Sequence, residues 1–190
     1  MNGFHPSNRP APRSGRITRA PSPAMAYLTP WATIVLASGL SCWPIIAGSP
    51  LMPPLGFLVL LSWRQLHPGL LPVWAGLPLG FIDDLMSGQP MGSGMMTWSV
   101  AMLAVDLIEY RWPWRHFAVE WAVAAGLIVA YIIATALIAN ASVGPIGNPG
   151  VASLLLLLPQ LALSVLLYPV VARGVARLDS LRLVRYRVFG

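Results

Sequence analysis

Among its 190 residues the chain has no lysine, one cysteine, three histidines and six acidic residues. Each shortage excludes something. Cys42 sits alone in an apolar run, so it forms no internal disulfide and needs no role beyond that of a small buried hydrophobe. His5, His67 and His116 all fall in polar segments between apolar blocks, where none can serve a buried serine or a metal. The closest approach to an intramembrane protease loop, Leu85-Met86-Ser87-Gly88, lacks the first glycine of Gly-x-Ser-Gly. There is no glycine-rich nucleotide loop and no Cys/His metal spacing. Neither an enzyme nor a cofactor is expected.

Charge is scarce as well. Charged residues make up 9% of the chain, against about 25% in a soluble domain, and 56% is apolar with mean hydropathy +0.68. That balance predicts an all-α polytopic membrane protein. The net charge of +6 would suit nucleic acid, but every basic residue is an arginine lying between apolar blocks. That is the placement membrane topology requires, so no nucleic-acid partner is expected. The uniform choice of arginine reads as genome composition.

Residues 1–24 interleave Pro6, Pro10, Pro12, Pro21 and Pro23 with Arg9, Arg13, Arg16 and Arg19. Such a segment cannot build a core and is expected to be a disordered cytoplasmic tail beside anionic lipid. Residues 25–178 form the membrane domain, with spans near 29–48, 51–63, 70–86, 91–108, 117–140 and 151–172, and 179–190 is a basic cytoplasmic tail. The second span is short. Its 13 residues rise roughly 20 Å against a hydrocarbon core of about 30 Å, and Pro53 and Pro54 fit only at its first turn.

The arginines decide whether that segment crosses. With six spans and both termini in the cytoplasm, all 12 arginines lie inside; without the short span, eight of the 12 lie outside. Arginine in short loops prefers the cytoplasmic side, so six spans are predicted. Trp63, Trp74, Trp112, Trp114 and Trp121 then fall at the inner interface.

Small residues recur every four positions along two spans, as Gly76, Gly80, Asp84 and Gly88, and as Ala122, Gly126, Ala130 and Ala134. This spacing lets helix backbones approach closely. Pro78, Pro159 and Pro169 should kink or end their helices. Gln160 is placed to hydrogen-bond across helices. Met86, Met91, Met95, Met96 and Met102 read as flexible packing residues rather than soft-metal ligands.

The costliest local choice is Asp83-Asp84, two carboxylates at the end of an apolar run before a Ser-Gly-Gln-Pro turn. Each costs roughly 2.5–3.5 kcal/mol to place in hydrocarbon. Asp84 is expected near the outer surface, at a helix C-terminus whose dipole disfavours its charge. Either it caps the next helix, through the N–H groups of residues 87–91 and the Ser87 hydroxyl, or it is a protonatable or ion-binding carboxylate. Asp83 points about 100° away and is expected to reach the outer headgroups. Asp106 and Glu109, three apart at the inner end of the fourth span, have Arg64, Arg111 and Arg115 as expected counter-charges. Glu120 suits the N-terminus of the fifth span.

Gly80-x3-Asp84-x2-Ser87-Gly88-x-Pro90-Met91-Gly92 resembles the hallmark G-L-x-x-D-x-x-S-G-x-P-L-G of the rod-shape-determining protein MreD family, with Asp84 on the family's aspartate and Met91 for the usual leucine. Leu61-Ser62-Trp63-Arg64-Gln65-Leu66-His67-Pro68 is similar to the family's aromatic segment ending in Arg-Pro, with His67 where arginine is common. Tyr168-Pro169 followed by Arg173 and Arg177 resembles its closing Trp-Pro and basic tail. The likeness covers roughly residues 30–178.

What the resemblance implies is a bacterial inner-membrane protein of the cell-elongation machinery, without catalysis. Its partner would be the periplasmic scaffold MreC, linking it to MreB filaments and to the RodA/penicillin-binding peptidoglycan synthase. The implied six-helix bundle is similar to the substrate-binding component of energy-coupling-factor vitamin transporters. Two functions are then open. One is a non-enzymatic scaffold whose small-residue helix faces dock a partner's transmembrane helix. The other is a vitamin- or ion-binding transporter subunit using the Asp84 hairpin. Short, uncharged outer loops at 49–50, 87–90 and 141–150 favour the scaffold.

Overall fold

A computed structural model describes residues 23–40, 52–111, 116–143 and 151–184. The expectations for residues 1–22, Cys42, Trp112, Trp114, Arg115, the loop at 144–150 and residues 185–190 lie outside the described residues. Six α-helices and no strand occur among those described. They are α1 (Pro23–Leu40), α2 (Leu55–Leu66), α3 (Gly76–Ser87), α4 (Ser93–Arg111), α5 (Phe117–Val143) and α6 (Val151–Val184), with a 3₁₀ turn at Val73–Ala75.

Helices α1, α3, α4, α5 and α6 pack in that order, each against the next, and α2 closes the arc by packing on α1 and α6 while touching α4 and α5. The shortest apolar segment is therefore the central one. Nine of its 12 residues are buried, from Gly56 round to Gln65. A helix buried on every side needs apolar or partnered residues all round rather than a stripe. Gly56 has a specific part in this, because a Cβ there would collide with Ser38 Oγ on α1. Phe57 stacks on Tyr131 of α5 with ring centroids 4.4 Å apart. The Trp63 indole N–H donates to Thr33 Oγ1 of α1 at 2.9 Å. Trp63 is fully buried, so it is a core residue and not the interfacial anchor expected of it.

Prolines shift several boundaries. α2 starts at Leu55, directly after Pro54, as the proline pair dictates. The third helix starts at Gly76 instead of near Leu70, because Pro72 stands ahead of the 3₁₀ turn. Pro78 is then only the third residue of α3, where its missing N–H has no helical partner to lose, and it neither ends nor interrupts the helix. α6 runs through both Pro159 and Pro169 to Val184 without ending at either. The first residues of the expected basic tail are thus helical, and Asp179 is brought into the fold.

Among the described residues two helices are long and apolar enough to cross a membrane, over Phe117–Ala141 with mean hydropathy 2.5 and over Leu157–Ser180 with 1.6. Within an apolar 18-residue part of each, only 22% and 17% of the residues are buried. The core helix of a soluble protein would be mostly covered, so this outward apolar surface suits lipid or another helix.

The two small-residue stripes have opposite fates. On α3, a Cβ at Gly76 would lie 2.9 Å from the Ser99 backbone, and one at Gly80 would lie 2.5 Å from the Gly94 carbonyl oxygen. The α3 and α4 backbones are in contact there. On α5, Ala122, Gly126 and Ala130 face out of the bundle, and a Cβ at Gly126 meets nothing within 4 Å. Gly80→Val is expected to lower stability by at least about 1–3 kcal/mol through overpacking. Gly126→Ala should leave it unchanged or raise it by up to about 1 kcal/mol through helix propensity. Thermal unfolding in detergent measures both, and equal effects would contradict this division.

Candidate functional site: the hairpin between α3 and α4

The α3–α4 hairpin is built from residues with few substitutes. α3 ends on Gly88 in the left-handed conformation (φ 67°), and Gly92 precedes α4 at φ 95°. Both values favour glycine, which has no Cβ to clash. A glycine before a helix leaves the first N–H groups without a capping side chain. Asp84, one turn before the end of the preceding helix, supplies it. The Gly92 N–H donates to its Oδ2 at 2.9 Å, the Gly94 N–H to Oδ1 at 2.7 Å and the Met95 N–H to Oδ2 at 3.4 Å. The Ser93 hydroxyl adds a fourth bond to Oδ1 at 3.0 Å. The carboxylate is 2% exposed and meets the positive end of the α4 dipole, which offsets its unfavourable place at the C-terminus of α3.

The donors lie further along the chain than the expected residues 87–91, and Ser87 is not among them. Its hydroxyl is buried without a hydrogen-bond partner among the described residues. Pro90 acts through its carbonyl, which accepts the Ser93 N–H at 3.1 Å. The close approach at Gly80 and Gly94 is what puts Asp84 within reach, since a Cβ on Gly94 would stand 2.7 Å from Asp84 Oδ1. Asp83 corrects a second expectation. It does not reach toward headgroups but is buried, facing Ser38 of α1 and Tyr131 of α5.

At the opposite end of α2 the charged residues meet. Arg64, 3% exposed in its side chain, binds Asp106 Oδ1 through Nη2 at 2.7 Å and Glu109 Oε2 through Nη1 at 3.0 Å. Arg111 is exposed and does not join these pairs. Tyr168 Oη donates to Gln65 Oε1 at 2.6 Å, and Gln65 Nε2 donates to the Glu120 carbonyl at 3.1 Å, which ties α6, α2 and α5 together. Gln160 makes its interhelical bond, donating to the Met52 carbonyl ahead of α2 at 2.9 Å.

One residue pair was missed from the sequence. His67 Nε2 and Asp179 Oδ2 lie 2.7 Å apart, with the Asp179 side chain 7% exposed. The signal was present in the spacing, because Ser164, Tyr168, Val175 and Asp179 follow one another by four, seven and four and are all buried. Among the described residues no three His, Cys, Asp or Glu side chains group as a metal site would require.

Asp84→Ala is expected to cost about 2–3 kcal/mol, since it removes a cap and leaves buried N–H groups without an acceptor. Asp84→Asn, which keeps one oxygen, should cost roughly half as much. Unfolding midpoints in detergent give both. An Asn variant that folds like wild type yet loses function would assign the charge a role beyond the cap.

The profile of one family, described as rod shape-determining protein MreD, matches residues 25–173. Neither the curated proteins nor the solved structures contain a match to the chain. The matched region runs from α1 into α6 and takes in the whole hairpin. It is a family of membrane proteins that serve rod-shape determination, and it is not a known enzyme family. On that match the chain belongs to the rod shape-determining protein MreD family.

Proposed function

We propose that this protein is a non-enzymatic membrane scaffold of the bacterial elongation machinery, using the outward face of α5 to dock a transmembrane helix of its partner MreC. Through MreC it would couple MreB filaments to the RodA/penicillin-binding peptidoglycan synthase in the inner membrane. The observation that carries this reading is the unpartnered small-residue stripe. Ala122, Gly126 and Ala130 repeat at the interval that admits a neighbouring backbone, yet among the described residues no helix of the bundle occupies that face. An apolar groove of about 180 Å³ runs beside it, lined by Phe57, Met96, Val100, Leu127, Ala130 and Tyr131 among others.

A transporter subunit would need a polar group free to hold its cargo. All four hydrogen bonds of Asp84 point into the hairpin, which supports a structural lock instead. Gly80, Gly88, Pro90 and Gly92 serve the same lock, and Arg64 with Asp106 and Glu109 closes the other end. We further propose six spans with both termini cytoplasmic, a tail at 1–24 and a membrane domain at 25–178. The likeness to energy-coupling-factor subunits comes through the family and carries no transport function with it.

Depletion should turn rod-shaped cells round, and wild type should restore them. Gly126→Leu should accumulate to normal levels but leave cells round, because it fills the docking face without disturbing the bundle. Rods restored by Gly126→Leu would rule out that face, and a defect cured by a single nutrient would favour transport. Phosphatase fusions after Gly88 should be active and fusions after Leu66 or Arg111 inactive; the reverse would overturn the topology.

A further inference from the structure

We propose that the open cavity between the end of α2, the start of α5 and the middle of α6 holds the headgroup of a zwitterionic phospholipid carrying a primary amine. The cavity, about 210 Å³, is bordered by Gln65, Glu120, Trp121, Tyr168 and Arg173 among others. One water needs only about 10–15 Å³ of such space, so the cavity suits a polar group of several heavy atoms. The groove beside the α5 stripe is different in kind, with a lining that is almost entirely apolar.

The chemistry of the walls selects the occupant. The polar floor is already satisfied and held rigid, because Tyr168 donates to Gln65 and Gln65 donates to the Glu120 carbonyl. Two charged side chains remain on the walls. Neither Glu120 nor Arg173 forms an ion pair among the described residues, whereas Arg64 is engaged by Asp106 and Glu109. One anion and one cation match a headgroup with one ammonium and one phosphate. Arginine offers planar, bidentate recognition of the phosphate. A carboxylate hydrogen-bonds to a primary ammonium, while a quaternary ammonium has no N–H to give. A net-anionic headgroup would leave Glu120 facing like charge.

The surroundings fit a lipid rather than a soluble phosphate ester. Phe117 and Trp121 are exposed on α5, and Leu66, Ala172 and Ala176 extend the apolar wall. Trp121 belongs to the aromatic class that settles at membrane interfaces. An acyl chain attached to the headgroup would therefore leave along the largely uncovered apolar surfaces of α5 and α6.

This assignment rests on the membrane-spanning reading above, and its test does not depend on which leaflet the cavity faces. The full-length protein, purified in mild detergent, is analysed by mass spectrometry for retained phospholipid. Its thermal unfolding is then followed with added phosphatidylethanolamine, phosphatidylcholine or phosphatidylglycerol. From an equimolar mixture of the three lipids, wild type should retain phosphatidylethanolamine about fivefold or more over either of the others. Glu120→Gln should still retain phospholipid but no longer distinguish ethanolamine from choline. Arg173→Gln should lose retention, and Arg177→Gln, outside the cavity, should match wild type. Equal retention of all three lipids by wild type would overturn the proposal without need of any variant. So would stabilisation by soluble phosphoethanolamine equal to that by the lipid. The phosphatase fusions and cell-shape assays report separately on topology and scaffolding, so a failure there is distinguishable from a failure here.

Discussion

The bundle depends on the burial of a helix too short to satisfy its own ends. α2 has 12 residues and rises about 18 Å, against roughly 30 Å of hydrocarbon. Away from water an unsatisfied backbone or charged group costs several kcal/mol, so the polar atoms at both ends of this buried helix must find protein partners. They do. Gln160 of α6 takes the Met52 carbonyl before the helix, Tyr168 of α6 takes Gln65 near its end, and Asp106 and Glu109 of α4 take Arg64. Arg64 also lies in the last turn, where the helix dipole favours a cation. Surrounding helices thus act as the polar boundary that a longer helix would find in headgroups and water.

The hairpin solves a related problem with a single side chain. α3 is also 12 residues long and ends in a tight turn whose glycines cannot cap α4. One carboxylate, reaching across from α3, satisfies the first turn of that helix. The arrangement needs Gly80 and Gly94 to let the backbones touch, Gly88 and Gly92 to turn the chain, and Pro90 to offer its carbonyl. The residues are interdependent because the reach of an aspartate is short: two side-chain torsions and about one helical turn of travel.

The helical class, the α5 limits to within three residues, the short second helix and a cap on α4 from Asp84 were all legible in the sequence. Hydropathy, proline position and four-residue spacing are local signals that tertiary contacts seldom override. What was not legible depended on which face of a helix meets a neighbour. Trp63 looked like an interfacial anchor because tryptophan is common there, but a central helix can bury an indole if another helix offers an acceptor, here Thr33. Asp83 looked exposed because its neighbour took the motif position. Both acids are buried, facing different helices. The fate of Asp179 turned on whether Pro169 would end α6, and a proline in a long apolar helix does not dictate that by itself.

The two small-residue stripes carry the last step. They share a spacing, and nothing within either segment says whether it meets its own bundle or a foreign helix. The difference lies in what accompanies them. Along α3 the stripe includes a carboxylate that must be buried and capped, so this face has to turn inward, toward the N–H groups at the start of α4. Along α5 the stripe carries nothing polar, while the opposite face holds Ala124, Ile128, Tyr131 and Ile132 in the core. Apolar bulk turns inward there and the small residues are left outside. In lipid an exposed glycine–alanine face gains little from the solvent, which is as apolar as leucine, but offers a close seat to another helix. An outward stripe of this kind is thus better suited to a partner's helix than to lipid chains.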